Sequence, residues 1–171
     1  LSLCAGPNED DGLGPDAPQD VKDASPRHVL AEIVAAARTA AGTVPIYLVA
    51  ENEPQHTVLA RRPEQGGYGM DAMWNDDAHH TAVVALTGRR EAYYRDYQGS
   101  AQELISCARF GYLYQGQWYS CQQRRRGTPA LDLMPNSFAT YLENHDQVAN
   151  SAFGRRLHQT AAPGRYRALT A

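Results

Sequence analysis

Only three cysteines, Cys4, Cys107 and Cys121, occur in the 171 residues, and no two are spaced as CxxC. That count and spacing exclude a disulfide framework and a zinc knuckle, and the three are read as free thiols. No apolar run approaches the roughly 18 residues of a spanning helix. The opening LSLCAGPNEDDG has neither a basic stretch nor a sustained apolar core. A cytoplasmic location and no membrane partner are therefore expected. An excess of one charge is missing as well: Asp plus Glu number 19 against 16 Lys plus Arg, a net charge of -3. Such a balance creates no global field for nucleic acid or an anionic surface. Arg124, Arg125 and Arg126 lack an accompanying basic face, so a solvated loop or salt-bridge partners are expected there.

What is present is a chain of ordinary globular composition, long enough for one domain with a real core. SPRHVLAEIVAAARTAAG predicts a helix, with Ser25 as N-cap, Pro26 at the first helical position, Val29, Leu30, Ile33 and Val34 on one face, and Gly42 as the stop. Directly after it, Val44 to Ala50 reads as a strand buried on both faces, ended by the polar ENEPQ. The pattern recurs where Phe138 to Leu142 runs into Glu143, Asn144, His145 and Asp146, and more weakly at YGMDAMWNDD. Helix alternating with buried strand implies parallel α/β architecture, whose sites lie at strand C-termini. AQELISCARFGYLY has helical apolar spacing, which predicts core positions for Leu104, Ile105 and Phe110. Tyr93, Tyr94 and Tyr97 suit either sugar stacking or packing.

Three strand ends carry an acid: Asp16, if DGLGPDA is a strand end, then Glu51 and Asp146. Carboxylates converging in an uncharged pocket suit glycoside hydrolysis, in which one protonates the leaving oxygen and another attacks or stabilises an oxocarbenium-like centre. The segment Gly67 to Thr81, GYGMDAMWNDDAHHT, is the densest polar cluster. Asp and His are good metal ligands. However, neighbouring histidines cannot both face one ion without a special loop, and neither HxH nor HExxH occurs. No metal and no cofactor are expected.

Taken together, VAENE, MDAMWNDDAHHT, LTGRREAYYRDY, RRRGTPALDL and YLENHDQVANSAFGRRLHQ resemble the maltooligosyltrehalose trehalohydrolase branch of the α-amylase family of glycoside hydrolases. NHDQ marks the wider family, and WNDDAHH with GRREAYY marks the branch. The resemblance implies a (β/α)8 TIM barrel and retaining hydrolysis of the α-1,4-glucosidic bond next to a terminal trehalose. Water and an α-glucan such as maltooligosyltrehalose would be the substrates. It further implies that Asp16 is the nucleophile, Glu51 the general acid/base, and Asp146 the transition-state stabiliser. WNDDAHH would be a loop contacting substrate through Trp74, Asp76, Asp77, His79 and His80, with Asn144, His145 and Gln147 also binding sugar.

Two departures accompany the resemblance. Gly14 stands where the family has an arginine, with Pro15 and Pro18 flanking Asp16, and residues 1–10 match nothing recognisable. A complete barrel needs about 250 residues, so residues 1–171 are expected to be part of one catalytic barrel domain, about its fourth to seventh strands, and inactive alone. The alternatives are a glucan branching enzyme or amylase of the same superfamily, and a catalytically dead glucan-binding relic.

Overall fold

The computed structural model describes residues 21–149 and 153–171. Helix α1 spans Val29–Ala41. Its start differs from the expected one. His28, not Ser25, is the N-cap, its Nδ1 accepting from the Leu30 N–H at 3.2 Å. Ser25 instead bonds the Asp23 carboxylate, which also accepts from the Val29 N–H at 2.6 Å. Asp23 thus satisfies a free donor of the first turn from outside the helix. At the other end, Gly42 adopts a positive φ of 59° and ends the helix as expected.

Three short strands form a parallel sheet: β1, Val49–Ala50; β2, Ala72–Trp74; and β5, Phe138–Ala139, in the order β1-β2-β5. The register pairs Val49 with Ala72, Ala50 with Met73, Met73 with Phe138, and Trp74 with Ala139. The α/β expectation holds, but pairing covers only the end of the Val44–Ala50 run, which is not buried on both faces: Val44, Tyr47 and Val49 are exposed, because β1 is the edge strand of the sheet among the described residues. The expected strand ending at Asp16 lies outside the described residues. Between β1 and β2 no α-helix intervenes; the chain makes two 3-10 turns, Thr57–Leu59 and Pro63–Gln65. Pro54, Pro63, Gly66 and Gly67 crowd that segment and leave no uninterrupted run for a longer helix.

The long β2–β5 connection carries α2 (Asp76–Thr87), α3 (Ala101–Phe110) and an antiparallel hairpin of β3 (Trp118–Tyr119) and β4 (Arg124–Arg125). Helix α3 opens with a capping box, Ser100 accepting from the Glu103 N–H while Glu103 accepts from that of Ser100. After β5 come α4 (His145–Ala149), α5 (Leu157–Thr160) and α6 (Pro163–Thr170). No helix of the described residues is long and apolar enough to cross a membrane.

The buried residues fall into two clusters. Leu30, Ala50, Leu59, Met73, Tyr112 and Phe138 fill the space around the sheet and α1. Val83, Val84, Leu86, Tyr94, Tyr97, Tyr119 and Leu157 fill the space around α2. Tyr94 and Tyr97 are therefore packing residues, while Tyr93 is exposed. The expected core of α3 is not there. Ile105 and Phe110 are exposed, Leu104 is half-buried and only Cys107 of that helix is buried, because α3 packs mainly on α2, with a smaller contact to the 3-10 turn Pro135–Ser137. Cys107 is a free thiol, but Cys121 is disulfide-bonded, which corrects the expectation of three free cysteines.

Within the cluster around α2, Asp77 is fully buried at the start of that helix. Its carboxylate accepts from the Tyr97 hydroxyl at 2.6 Å and from the backbone N–H groups of Leu113 and Tyr114 at 2.7 and 2.9 Å. Three donors to one buried carboxylate offset its desolvation, and its removal leaves all three without partners. Asp77→Ala is expected to destabilise the chain by about 3–5 kcal/mol, seen as a lowered urea midpoint, with Asp77→Asn recovering only part.

Candidate active site

Because β1, β2 and β5 run parallel, whatever follows each of them lies at one rim of the sheet. Glu51 directly follows β1, level with Trp74 at the end of β2 and Ala139 at the end of β5. Asn144, His145, Asp146 and Gln147 come soon after β5. The parallel register puts Glu51 and Trp74 at one end of the sheet, the end from which the chain leaves β5 toward Asp146 in α4. Asp16 lies outside the described residues.

WNDDAHH is not a loop. The Asn75 side chain accepts from the Ala78 N–H at 3.1 Å, and α2 begins at Asp76 with two acids in its first turn. An N-cap asparagine followed by acids is a helix-start signature, favoured by the N-terminal dipole, and was readable in the sequence. Winding that segment into a helix sends its polar side chains different ways. Asp77 is enclosed as described. His79 is almost fully buried, with Nδ1 2.7 Å from the Leu142 carbonyl and its ring stacked on Tyr141 at 5.0 Å. His80 is buried among Tyr93, Tyr94 and Tyr97. All three expected sugar ligands are thus buried residues, although His79 also lines a pocket with Tyr94, Leu142 and Leu157. Trp74 and Asp76 are only partly buried and remain at the rim.

Asn144 and Gln147 also have partners within the protein. The Asn144 side chain accepts from the Asp146 N–H at 3.0 Å, and Gln147 accepts from the Asn144 N–H at 2.8 Å, a reciprocal cap on α4. The cap therefore belongs to Asn144, which leaves Asp146 free of that task. The Asp146 carboxylate is half exposed, 3.4 Å from Nε2 of the exposed His145.

Glu53 and Tyr141 were not singled out in the sequence. Of the two alternatives expected for the arginine triplet, Arg126 takes the salt bridge: its guanidinium is buried, 3.4 Å from Asp76 and 3.7 Å from Glu53, and lies over the Tyr119 ring at 4.7 Å. The neighbouring Arg124 and Arg125 are exposed, so the tripeptide has no internal signal that its last member turns inward. Tyr141 donates to Asp76 at 2.5 Å and its ring meets Trp74 at 5.4 Å.

The electrostatics follow from this enclosure. Burial pushes Asp76 up to about 6, although Arg126 and the Tyr141 hydroxyl pull it down. Burial works against the Arg126 charge, but Tyr97, Asp77, Glu53 and Asp76 outweigh it and keep the group firmly protonated. Burial pushes His79 down to about 4 and His80 well below its ordinary value.

Both imidazoles are thus neutral when folded but gain protons below about pH 6.5 when unfolded. Their contribution to stability is complete above that value and is lost as pH falls toward 4. Asp76 acts in the opposite sense, because its raised value favours the folded state at low pH and less so above about 6. The difference between the protein and its His79→Gln variant isolates the first effect. From pH 7 to 4.5 the urea-derived stability of the parent is expected to fall by about 2–3 kcal/mol more than that of the variant.

No protein-family model matches the chain. It is 39% identical to the malto-oligosyltrehalose trehalohydrolase of Mycobacterium tuberculosis over 159 residues, 90% of this chain and 27% of that protein. The enzyme of the same name from Deinococcus radiodurans is 35% identical over 152 residues, 88% of this chain and 24% of that protein. A solved Salmonella typhimurium protein, described provisionally as an alpha amylase, superposes with a TM-score of 0.79 at 34% identity, covering 90% of this chain and 27% of that one. The chain spans about a quarter of the length of these relatives. It is a homologue of one segment of the malto-oligosyltrehalose trehalohydrolases, with an α-amylase-like fold over that segment.

Proposed function

We propose that this chain supplies the acid/base and stabilising side of a retaining α-glucan hydrolase that cuts the α-1,4 bond next to the terminal trehalose of maltooligosyltrehalose. The observation that supports the reading is the parallel order β1-β2-β5, in which Glu51 follows β1, Trp74 ends β2, and the chain leaves β5 at that same end on its way to Asp146. In it, residues 1–171 belong to one catalytic domain, and β1, β2 and β5 are consecutive strands of a (β/α)8 barrel whose helices lie outside.

Glu51 protonates the departing glycosidic oxygen while Asp16 attacks the anomeric carbon. The ester formed on Asp16 is then hydrolysed by a water that Glu51 deprotonates. Asp146 faces the positive charge that builds on the sugar ring, and a half-exposed carboxylate suits that role. Trp74 offers its apolar ring face to a glucose unit. His145 and Asp76 take hydroxyls. The reaction consists of proton transfers and one covalent ester, so the reading needs no cofactor.

A chimera tests it: this chain replaces the matching segment of the Mycobacterium tuberculosis trehalohydrolase. The chimera is expected to release trehalose from maltooligosyltrehalose, whereas the 171-residue chain alone is not. Glu51→Gln in the chimera is expected to lower turnover of the natural sugar by at least about 10³-fold while sparing much of the activity on an aryl glycoside whose leaving group needs no proton. Equal loss on both substrates, or a chimera active without Glu51, would remove Glu51 from the acid role.

A further inference from the structure

At the rim, Trp74 and Asp76, two residues apart, are locked together with Tyr141 from a distant part of the sequence. Trp74 ends β2, Asp76 opens α2, and Tyr141 lies two residues after β5. The Tyr141 hydroxyl donates to Oδ1 of Asp76 at 2.5 Å, and Nη2 of Arg126 lies 3.4 Å from Oδ2. The Tyr141 ring is sandwiched, stacked on buried His79 at 5.0 Å and tilted against Trp74 at 5.4 Å. His79 is itself held through Nδ1 by the Leu142 carbonyl. The tyrosine therefore has little freedom, and the Asp76 carboxylate it holds keeps part of its surface open, at 19% side-chain exposure.

We propose that Tyr141 is a positioning residue for a sugar-binding edge made of Trp74 and Asp76, its ring bracing the indole and its hydroxyl fixing the carboxylate as an acceptor-only group. An aromatic face beside an ionised carboxylate fits a pyranose, which has an apolar face and adjacent hydroxyl donors. The inference rests on the glucan-hydrolase reading for its ligand class.

The edge is sensitive to pH because a protonated Asp76 loses acceptor capacity. The groups that bear on Asp76 are Tyr141 after β5, Arg126 after β4, Glu53 after β1, and Asp77 on its own helix. Arg126 and the Tyr141 hydroxyl favour the ionised form, while Glu53 and Asp77 oppose it, and burial places its titration at about 6. Removing the hydroxyl takes away one of the two stabilising contacts without touching the ring stack.

The experiment uses the 171-residue chain with Trp118→Phe, which leaves Trp74 as the sole tryptophan of the two. Maltotriose binding is followed by Trp74 fluorescence from pH 4.5 to 8, and the Asp76 carboxyl by 13C NMR. Binding is expected to weaken as pH falls through about 6. Tyr141→Phe should move both that midpoint and the Asp76 titration upward by about 1 pH unit. Asp76→Asn, which keeps the shape, should abolish the step. A purely structural tyrosine would weaken binding equally at every pH and leave the midpoint where it was. An unmoved midpoint in Tyr141→Phe, a step that survives Asp76→Asn, or no maltotriose binding at any pH each overturns the inference. None of these outcomes depends on whether the chimera turns over.

Discussion

The buried Asp77 carboxylate is the constraint on which the rest of the structure depends. It sits one residue into α2 and collects donors from Tyr97 and from the backbone at Leu113 and Tyr114. One side chain therefore fixes the start of α2, the segment before α3 and the segment after it. A buried carboxylate would ordinarily be costly, and it persists because hydrogen-bond donors surround it and the buried, protonated Arg126 adds a positive charge close by. With α2 anchored there, Trp74 and Asp76 have no latitude in where they emerge.

Two adjacent carboxylates consequently have opposite fates. Asp77 points into the protein and is saturated; Asp76, a third of a helical turn away, is pinned by Tyr141 and Arg126 yet stays partly open at the rim. Arg126 links the networks, bridging toward Glu53 after β1 and Asp76 after β2 while lying over Tyr119 of the hairpin. The segments that follow β1 and β2 are thereby coupled through charge.

The sequence made the parallel sheet, helix α1 and the position of Glu51 at the end of β1 legible, because apolar runs that stop abruptly at polar clusters have few other interpretations. It also made the start of α2 legible, through Asn75 and the two aspartates, yet the same letters suggested a ligand-binding loop. Only helical geometry separates Asp76 from Asp77, His79 and His80, since residues so close in sequence diverge around the axis by about 100° each. Tyr141 was not legible at all, and for Arg126 the triplet suggested a salt bridge but not its partners. Their importance arises from partners dozens of residues away, Arg126 with Asp76 and Tyr141 with Trp74, and one-dimensional spacing carries no trace of such pairs. The misplaced core of α3 has a similar origin: Ile105 and Phe110 follow an apolar pattern, but α3 packs mainly on α2 and leaves both exposed.

The central claim is that one rim of this sheet presents Glu51 and Asp146 to a single sugar chain resting on Trp74. A crystal structure of the chain with a bound maltooligosaccharide tests it most directly. The account predicts one glucose ring lying against the Trp74 indole, with the Glu51 and Asp146 carboxyls on either side of the same glycosidic linkage. Sugar bound elsewhere, or carboxyls of Glu51 and Asp146 that face different surfaces, would contradict it.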